Sequence, residues 1–215
     1  MWKFIKRVIY IIVIINVLSI IWGRFFNPLI TIIQIEGLVK YQKLDRDYIS
    51  FDEMGNNIKR AVIASEDQNF YKHNGFDFTA IQQAYADNQK KKKIRGGSTI
   101  SQQTAKNLFL WNGGGYFRKG LEAVFTFTIE KVWNKNIILE RYLNSIEMGQ
   151  GVFGIEAASK YYFGKNSKDL TKSEAAWIAV VLPSPKKYDP KNPTRAMLRK
   201  HARVLKQMNY MTLED

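Results

Sequence analysis

Two hydrophobic patterns divide the chain. From Val8 to Trp22 the sequence carries no charge, and Lys6, Arg7 and Arg24 bracket it. Fifteen helical residues span about 22 Å, short of a hydrocarbon core of about 30 Å. Counting from Phe4, with the flanking cations snorkelling outward, brings the span close to sufficient. Lys3, Lys6 and Arg7 precede the run and only Arg24 closely follows. The positive-inside tendency then predicts a cytoplasmic N-terminus and an outward-facing remainder. A cleaved signal peptide is the alternative, but no small-x-small site follows Trp22. Residues 1–24 are therefore expected to form a cytoplasmic N-terminus and one transmembrane anchor. Residues 25–50 are expected to form a connector, broken at Asn27-Pro28, with the apolar patch Leu29 to Ile35 extending the anchor or lying at the interface.

Beyond residue 50 the apolar positions recur at three- and four-residue steps. Ile58, Val62, Ile63 and Phe70 predict a helix from Asn57, closed by Asn74-Gly75. Thr79 is the expected cap of a second helix, to about Asn88. After a basic loop over 90–95, a third should start at Ser98 or Thr99, where Thr99 and Gln102 have capping-box spacing. Asn112-Gly-Gly-Gly115 breaks the chain before a long helix over about 117–133, with Leu121, Val124, Phe125, Thr128 and Val132 as its buried stripe. Further helices are predicted over 137–145, 154–162, 172–182 and 193–208, with a turn-rich loop at 183–190. Strand-like alternation is nearly absent, so residues 51–215 read as one mainly α domain.

Composition adds one constraint. The 215 residues are 46% hydrophobic and 13% aromatic, which supports a sizeable core and excludes a disordered chain. A net charge of +14 points to an anionic partner. Nucleic acid, an acidic membrane surface and a diphosphate substrate all satisfy it. No recognised nucleic-acid motif accompanies the charge, so nucleic acid is not an expected partner. There are no cysteines, which excludes disulfides and thiolate metal sites.

Candidate chemistry gathers in three segments. In the first, Glu66, Phe70 and His73 have the spacing of one helical face, with Asp67 beside them. A carboxylate next to an aromatic is partly desolvated, which suits a general base. Solvated acids paired with Lys59, Arg60 or Lys72 are the plainer alternative. In the second, Gly96-Gly97 opens the helix that carries Ser98, Thr99, Gln102, Gln103, Lys106 and Asn107. A helix N-terminus offers amide donors and the positive end of its dipole to phosphate, and the hydroxyls and amides suit sugar or phosphate oxygens. The Gly-x4-Gly-Lys spacing of a P-loop is absent. In the third, Arg118 and Lys119 stand four and three residues before Glu122, so both cations reach one carboxylate. An ordinary surface ion-pair network has the same spacing. Ser184-Pro-Lys-Lys187 matches Ser-x-x-Lys without a Lys-Thr-Gly partner and is taken as chance. The cationic C-terminus from Lys186 to Lys206 is taken as a solvated helix face, with contact to anionic lipid head groups as the alternative.

Five ordered blocks carry a family resemblance. They are Glu66-Asp-x-x-Phe-x-x-His-x-Gly75, Gly97-Ser-Thr-x-x-Gln-Gln-x-x-Lys-Asn107, Arg118-Lys-x-x-Glu122, Ile138-Leu-Glu-x-Tyr-Leu-Asn144 and Gly154-x-Glu-Ala-Ala-x-x-Tyr-x-Phe-Gly164. Across roughly residues 58–189 the chain resembles the peptidoglycan glycosyltransferases that polymerise lipid II, and most of all the monofunctional ones. Leu121 departs from the lysine of several bifunctional members. The resemblance implies a lysozyme-like, mainly helical domain with a larger head lobe and a small membrane-facing jaw. It implies Glu66 as the base that deprotonates the acceptor 4-hydroxyl and Glu122 as the second essential acid. Asp67, Phe70, His73, Ser98, Thr99, Gln102, Gln103, Lys106, Asn107, Arg118, Lys119 and Tyr162 are implied in binding substrate. A divalent cation (Mg or Mn), or lysine in its place, is implied beside the diphosphate. Lipid II, the growing glycan strand, the bacterial cytoplasmic membrane and cell-wall synthesis or division proteins are the implied partners. A membrane-anchored lysozyme-like glycan-cleaving enzyme and a non-catalytic module for anionic lipid or cell-wall polymer are the alternatives.

Overall fold

A computed structural model describes residues 2–89 and 96–214; the basic loop expected over 90–95 lies outside them. The chain runs through α1 (Trp2–Phe25), α2 (Ile32–Tyr41), β1 (Asp45–Arg46), α3 (Asn56–Glu66), α4 (Phe78–Gln89), α5 (Ile100–Phe109), α6 (Gly115–Val132) and α7 (Lys135–Ser145). It continues through β2 (Glu147–Gly149), β3 (Val152–Phe153), α8 (Ile155–Phe163), α9 (Lys172–Val181) and α10 (Arg195–Met208). The protein is mainly α, as expected.

Reciprocal capping boxes start three of these helices: Thr31 with Gln34, Thr99 with Gln102, and Thr171 with Glu174. Each satisfies two backbone donors that the first turn leaves open. The cap of α4 differs from expectation. Asp77, rather than Thr79, accepts the Ala80 amide at 2.8 Å, and Asn69 Nδ2 holds its other oxygen.

The core centres on α3, which packs against α9 and α10, while α5 lies between α6 and α7. Ala61 and Ala64 of α3 and Ala175, Ala176 and Ala179 of α9 are all buried. Short side chains on both helices let their axes approach closely, which fixes the C-terminal end of α3, where Glu66 sits. Ile58, Val62, Ile138, Leu139, Tyr142 and Leu143 fill the space around this contact.

Three findings correct the expected elements. Residues 25–50 hold a capped helix and a strand, β1 pairing in parallel with β3 while β2 pairs antiparallel with it. Strands of two or three residues are too short for period-2 alternation to register. On α6 the buried line is Glu122, Thr126 and Ile129, whereas Val124, expected inside, is 63% exposed. Apolar residues surround α6, so periodicity does not choose a face; the polar pair that packs against α5 does.

The C-terminal end of α1 is docked. Trp133 Nε1 donates to the Ile20 carbonyl at 2.9 Å, and Arg141 Nε donates to that of Gly23 at 2.8 Å. A Cβ at Gly23 would lie 2.8 Å from the Trp133 ring, so only glycine allows this seat. Among the described residues no helix is long and apolar enough to cross a membrane.

Candidate active site

Between α3, α5, α6 and the 183–186 loop lies a cleft of about 460 Å³. Glu66, Gln102, Gln103, Lys106 and Asn107 line it, with Ser98, Arg118, Lys119 and Glu122 across from them. Nine of the residues singled out in the sequence therefore meet in one space.

Glu66 is the last residue of α3. Its Oε1 accepts from Ser65 Oγ at 2.9 Å, and Lys200 Nζ on α10 approaches the same oxygen at 3.6 Å. Its Oε2 accepts from Gln103 Nε2 at 3.2 Å. The Gln103 amide is itself oriented by Tyr142, whose hydroxyl donates to Oε1 of Gln103 at 3.0 Å from the core. A buried phenol thus aims an amide at the carboxylate and leaves the carboxylate's remaining lone pairs toward the cleft.

On the opposite wall, the buried Glu122 carboxylate accepts from Arg118 at 2.6 Å and from Lys119. Arg118 Nε also donates to the Gly113 carbonyl at 2.6 Å. The loop before α6 wraps this guanidinium so tightly that a Cβ at Gly114 would meet Arg118 Cβ at 2.8 Å. Lys119 reaches back to Ser98 Oγ at 3.3 Å, tying α6 to the segment that opens α5. Burial, reinforced by the Arg118 charge, lowers the Lys106 pKa, with Glu122 and Glu36 pulling the other way. Three cations and one shared carboxylate leave this end of the cleft strongly positive.

The structure corrects five of the expected site residues. The helix ends at Glu66, and Asp67 leaves it at φ −159°, so Glu66, Phe70 and His73 do not share a helical face. Asp67 is buried. Its Oδ2 accepts the Ile100 amide at 3.0 Å at the start of α5, and both its oxygens face His73 Nε2 at 3.0 and 3.1 Å. Because the Gly75 amide donates to His73 Nδ1, Nε2 carries the hydrogen and donates to Asp67. The anion at the N-terminus of α5 is thus the chain's own carboxylate rather than a substrate phosphate. Thr99 is also structural: it caps α5 and donates its hydroxyl to the Gly75 carbonyl at 2.6 Å. Phe70 is wholly buried beneath the Lys135 ammonium. Tyr162 lies outside the cleft and donates to the Met148 carbonyl at 2.8 Å, and burial pushes its phenol pKa up.

Sequence reading missed other cleft residues. Glu147, whose pKa burial raises against the pull of Lys186, and Lys186 itself line the cleft 3.5 Å apart. Lys186 belongs to the Ser-x-x-Lys stretch set aside as chance, and Lys200 to the helix face set aside as solvated. No local pattern marks either, since each reaches the site through the packing of α9 and α10.

The cleft sets the Glu66 carboxylate against a cationic wall, and comparison with known proteins decides the family. The Transglycosylase family model matches residues 34–209. This chain belongs to the transglycosylase family. It is 51% identical over 171 residues to a biosynthetic peptidoglycan transglycosylase of Mannheimia succiniciproducens, covering 80% of this chain and 70% of that one. A protein of the same name from Caulobacter vibrioides is 45% identical over 188 residues, covering 87% and 82% of the two chains. Another, from Pseudomonas fluorescens, is 44% identical over 202 residues, covering 91% and 84%. The transglycosylase match takes in every residue of the cleft except Ile33.

Proposed function

We propose that this transglycosylase is a peptidoglycan glycosyltransferase that polymerises lipid II into β-1,4-linked glycan strands. The observation that carries the reading is the shared cleft, in which Glu66 faces the cations gathered around Glu122. Glu66 takes the proton from the 4-hydroxyl of the acceptor GlcNAc as that oxygen bonds to C1 of the donor MurNAc. The C1–O bond to undecaprenyl diphosphate breaks, its electron pair leaves with the diphosphate, and the anomeric centre inverts. A diphosphate leaves as an anion and needs no strong general acid, unlike the sugar oxygen in a glycosidase. It needs positive charge, which Lys106, Arg118 and Lys119 supply. Gln102, Asn107 and Ser98 offer donors for sugar or phosphate oxygens in the same space.

A divalent cation (Mg or Mn) beside the diphosphate belongs to the same proposal; both Glu122 oxygens already take cationic partners, so substrate phosphate oxygens and water would be its main ligands. In this reading the three cations offset the diphosphate.

The membrane belongs to the same proposal. The uncharged run from Val8 to Trp22 lies within the 24-residue α1 and supports an anchor with a cytoplasmic N-terminus and the domain on the outer face of the cytoplasmic membrane. Leu29, Val39, Tyr116, Phe117, Val124 and Phe127 expose large apolar surface on α6 and around α2, which suits a small lobe dipping into lipid below a lysozyme-like head. Cell-wall synthesis or division proteins remain proposed partners of that assembly.

Purified full-length protein in detergent should convert lipid II to polymeric glycan and leave finished peptidoglycan intact. Digestion of finished peptidoglycan with no polymer from lipid II would replace this reading with the lysozyme-like one.

A further inference from the structure

One wall of the cleft carries a pair of opposite charges that the proposed reaction does not use. Glu147 opens β2, Lys186 sits on the loop after α9, and the Lys186 ammonium stands 3.5 Å from Glu147 Oε2. Their neighbours Ile146, Leu182, Pro183 and Pro185 line the same space. Lys186 is held from two sides: its ammonium lies over the Tyr41 ring at 5.8 Å, and its carbonyl accepts from Gln150 Nε2 at 3.4 Å. The Glu147 side chain is only 12% exposed, and its Oε1 is buried with no hydrogen-bond partner among the described residues. Buried carboxylate oxygens are normally satisfied, so this one marks an unmet demand for a donor. The terminal carboxylate torsion is soft, and a turn about it brings Oε1 toward a donor arriving beside Lys186.

Such a pair suits a ligand unlike the diphosphate, because Glu147 would repel a phosphate brought to Lys186. It asks for an anion at Lys186 together with an N–H or ammonium at Glu147. The sugars offer hydroxyls without charge, and the lipid tail offers neither group. The peptide stem offers both, and it hangs from the same MurNAc ring whose C1 reacts. Position agrees with chemistry. Lys186 adds its charge to the burial and the Arg118 charge that lower the Lys106 pKa, which sets the pair beside the leaving-group cations. We propose that Glu147 and Lys186 form a subsite for the peptide stem of the donor substrate, Lys186 taking a stem carboxylate and Glu147 a stem N–H or ammonium. The proposal rests on the glycosyltransferase reading above.

The test measures kcat/KM for the full-length protein, Lys186→Gln and Glu147→Gln, with lipid II and with a lipid-diphosphate disaccharide that lacks the peptide. Lys186 is exposed, so its variant should melt within about 2 °C of the parent and carries the test even if Glu147→Gln folds poorly. The ratio of kcat/KM for lipid II to that for the stem-free substrate should fall about tenfold in each variant, as expected for a lost charge-assisted hydrogen bond. Equal losses on both substrates would assign Lys186 to the diphosphate and overturn the subsite, and so would no loss on either. If the parent polymerises neither substrate, the glycosyltransferase reading fails on its own. Calorimetric titration with muramyl pentapeptide, which has no diphosphate and no lipid, reads the subsite without turnover. Weaker binding by Lys186→Gln than by the parent supports it, and equal or absent binding in both proteins overturns it.

Discussion

Replacing Asp67 by alanine separates a structural carboxylate from a substrate-binding one. The side chain is buried, accepts the Ile100 amide at 3.0 Å and faces His73 Nε2 at 3.0 Å. Truncation strands two donors, one of them the amide of a residue with no solvent exposure. Each unsatisfied buried donor costs about 1–3 kcal/mol. Two such donors make Asp67→Ala cost the domain about 2–6 kcal/mol. For a domain of this size that is a fall in melting temperature of roughly 10 °C. Asp67→Asn keeps one acceptor oxygen and should lose about half as much. Melting curves in a fixed detergent, followed by circular dichroism, read both values. If Asp67 merely occupied an anion site meant for substrate, its loss would cost little stability and would improve pyrophosphate binding. A change below about 0.5 kcal/mol in Asp67→Ala would therefore refute the structural assignment.

Glu122→Gln should lower the rate of lipid II polymerisation about a hundredfold, measured as initial rates, because Arg118 and Lys119 lose the charge that holds them together. The Lys106 pKa is lowered in the fold, so between that value and the ordinary lysine value of about 10.4 the unfolded chain binds more protons and stability rises with pH. Lys106→Met should flatten that rise relative to the parent in denaturant midpoints taken from pH 8 upward. The parent's polymerisation rate should fall over the same window as the ammonium is lost. Gly154→Ala should cost about 2–4 kcal/mol in a denaturant titration, since φ is +84° and the new Cβ would lie 2.6 Å from the Asn144 carbonyl oxygen.

Local signals in the sequence proved good guides to helix starts and to the cleft. The Thr99–Gln102 spacing forecast α5, and Lys106 and Asn107 followed onto the cleft wall from the same helix. Thr31 and Gln34 have that spacing too, and it alone marks α2, which apolar periodicity does not reveal. Arg118, Lys119 and Glu122 met as their helical spacing required. Whatever depended on distant packing stayed hidden. The Ile100 amide looks available to phosphate until α3 ends one residue before Asp67 and delivers a carboxylate to it. Phe70 and Tyr162 sit in family blocks because they pack, and a motif does not distinguish packing from contact. Lys200 reaches Glu66 across 134 residues of sequence through the contact of α10 with α3, which no spacing rule encodes.

The central claim is that the Glu66 carboxylate removes the acceptor's proton. Glu66→Gln preserves size and most hydrogen bonding while removing the base, so its rate of glycan formation from lipid II is the direct measurement. The account predicts a fall of at least about a hundredfold, at an unchanged melting temperature and with lipid II binding retained. Polymer formed at the parental rate would contradict it.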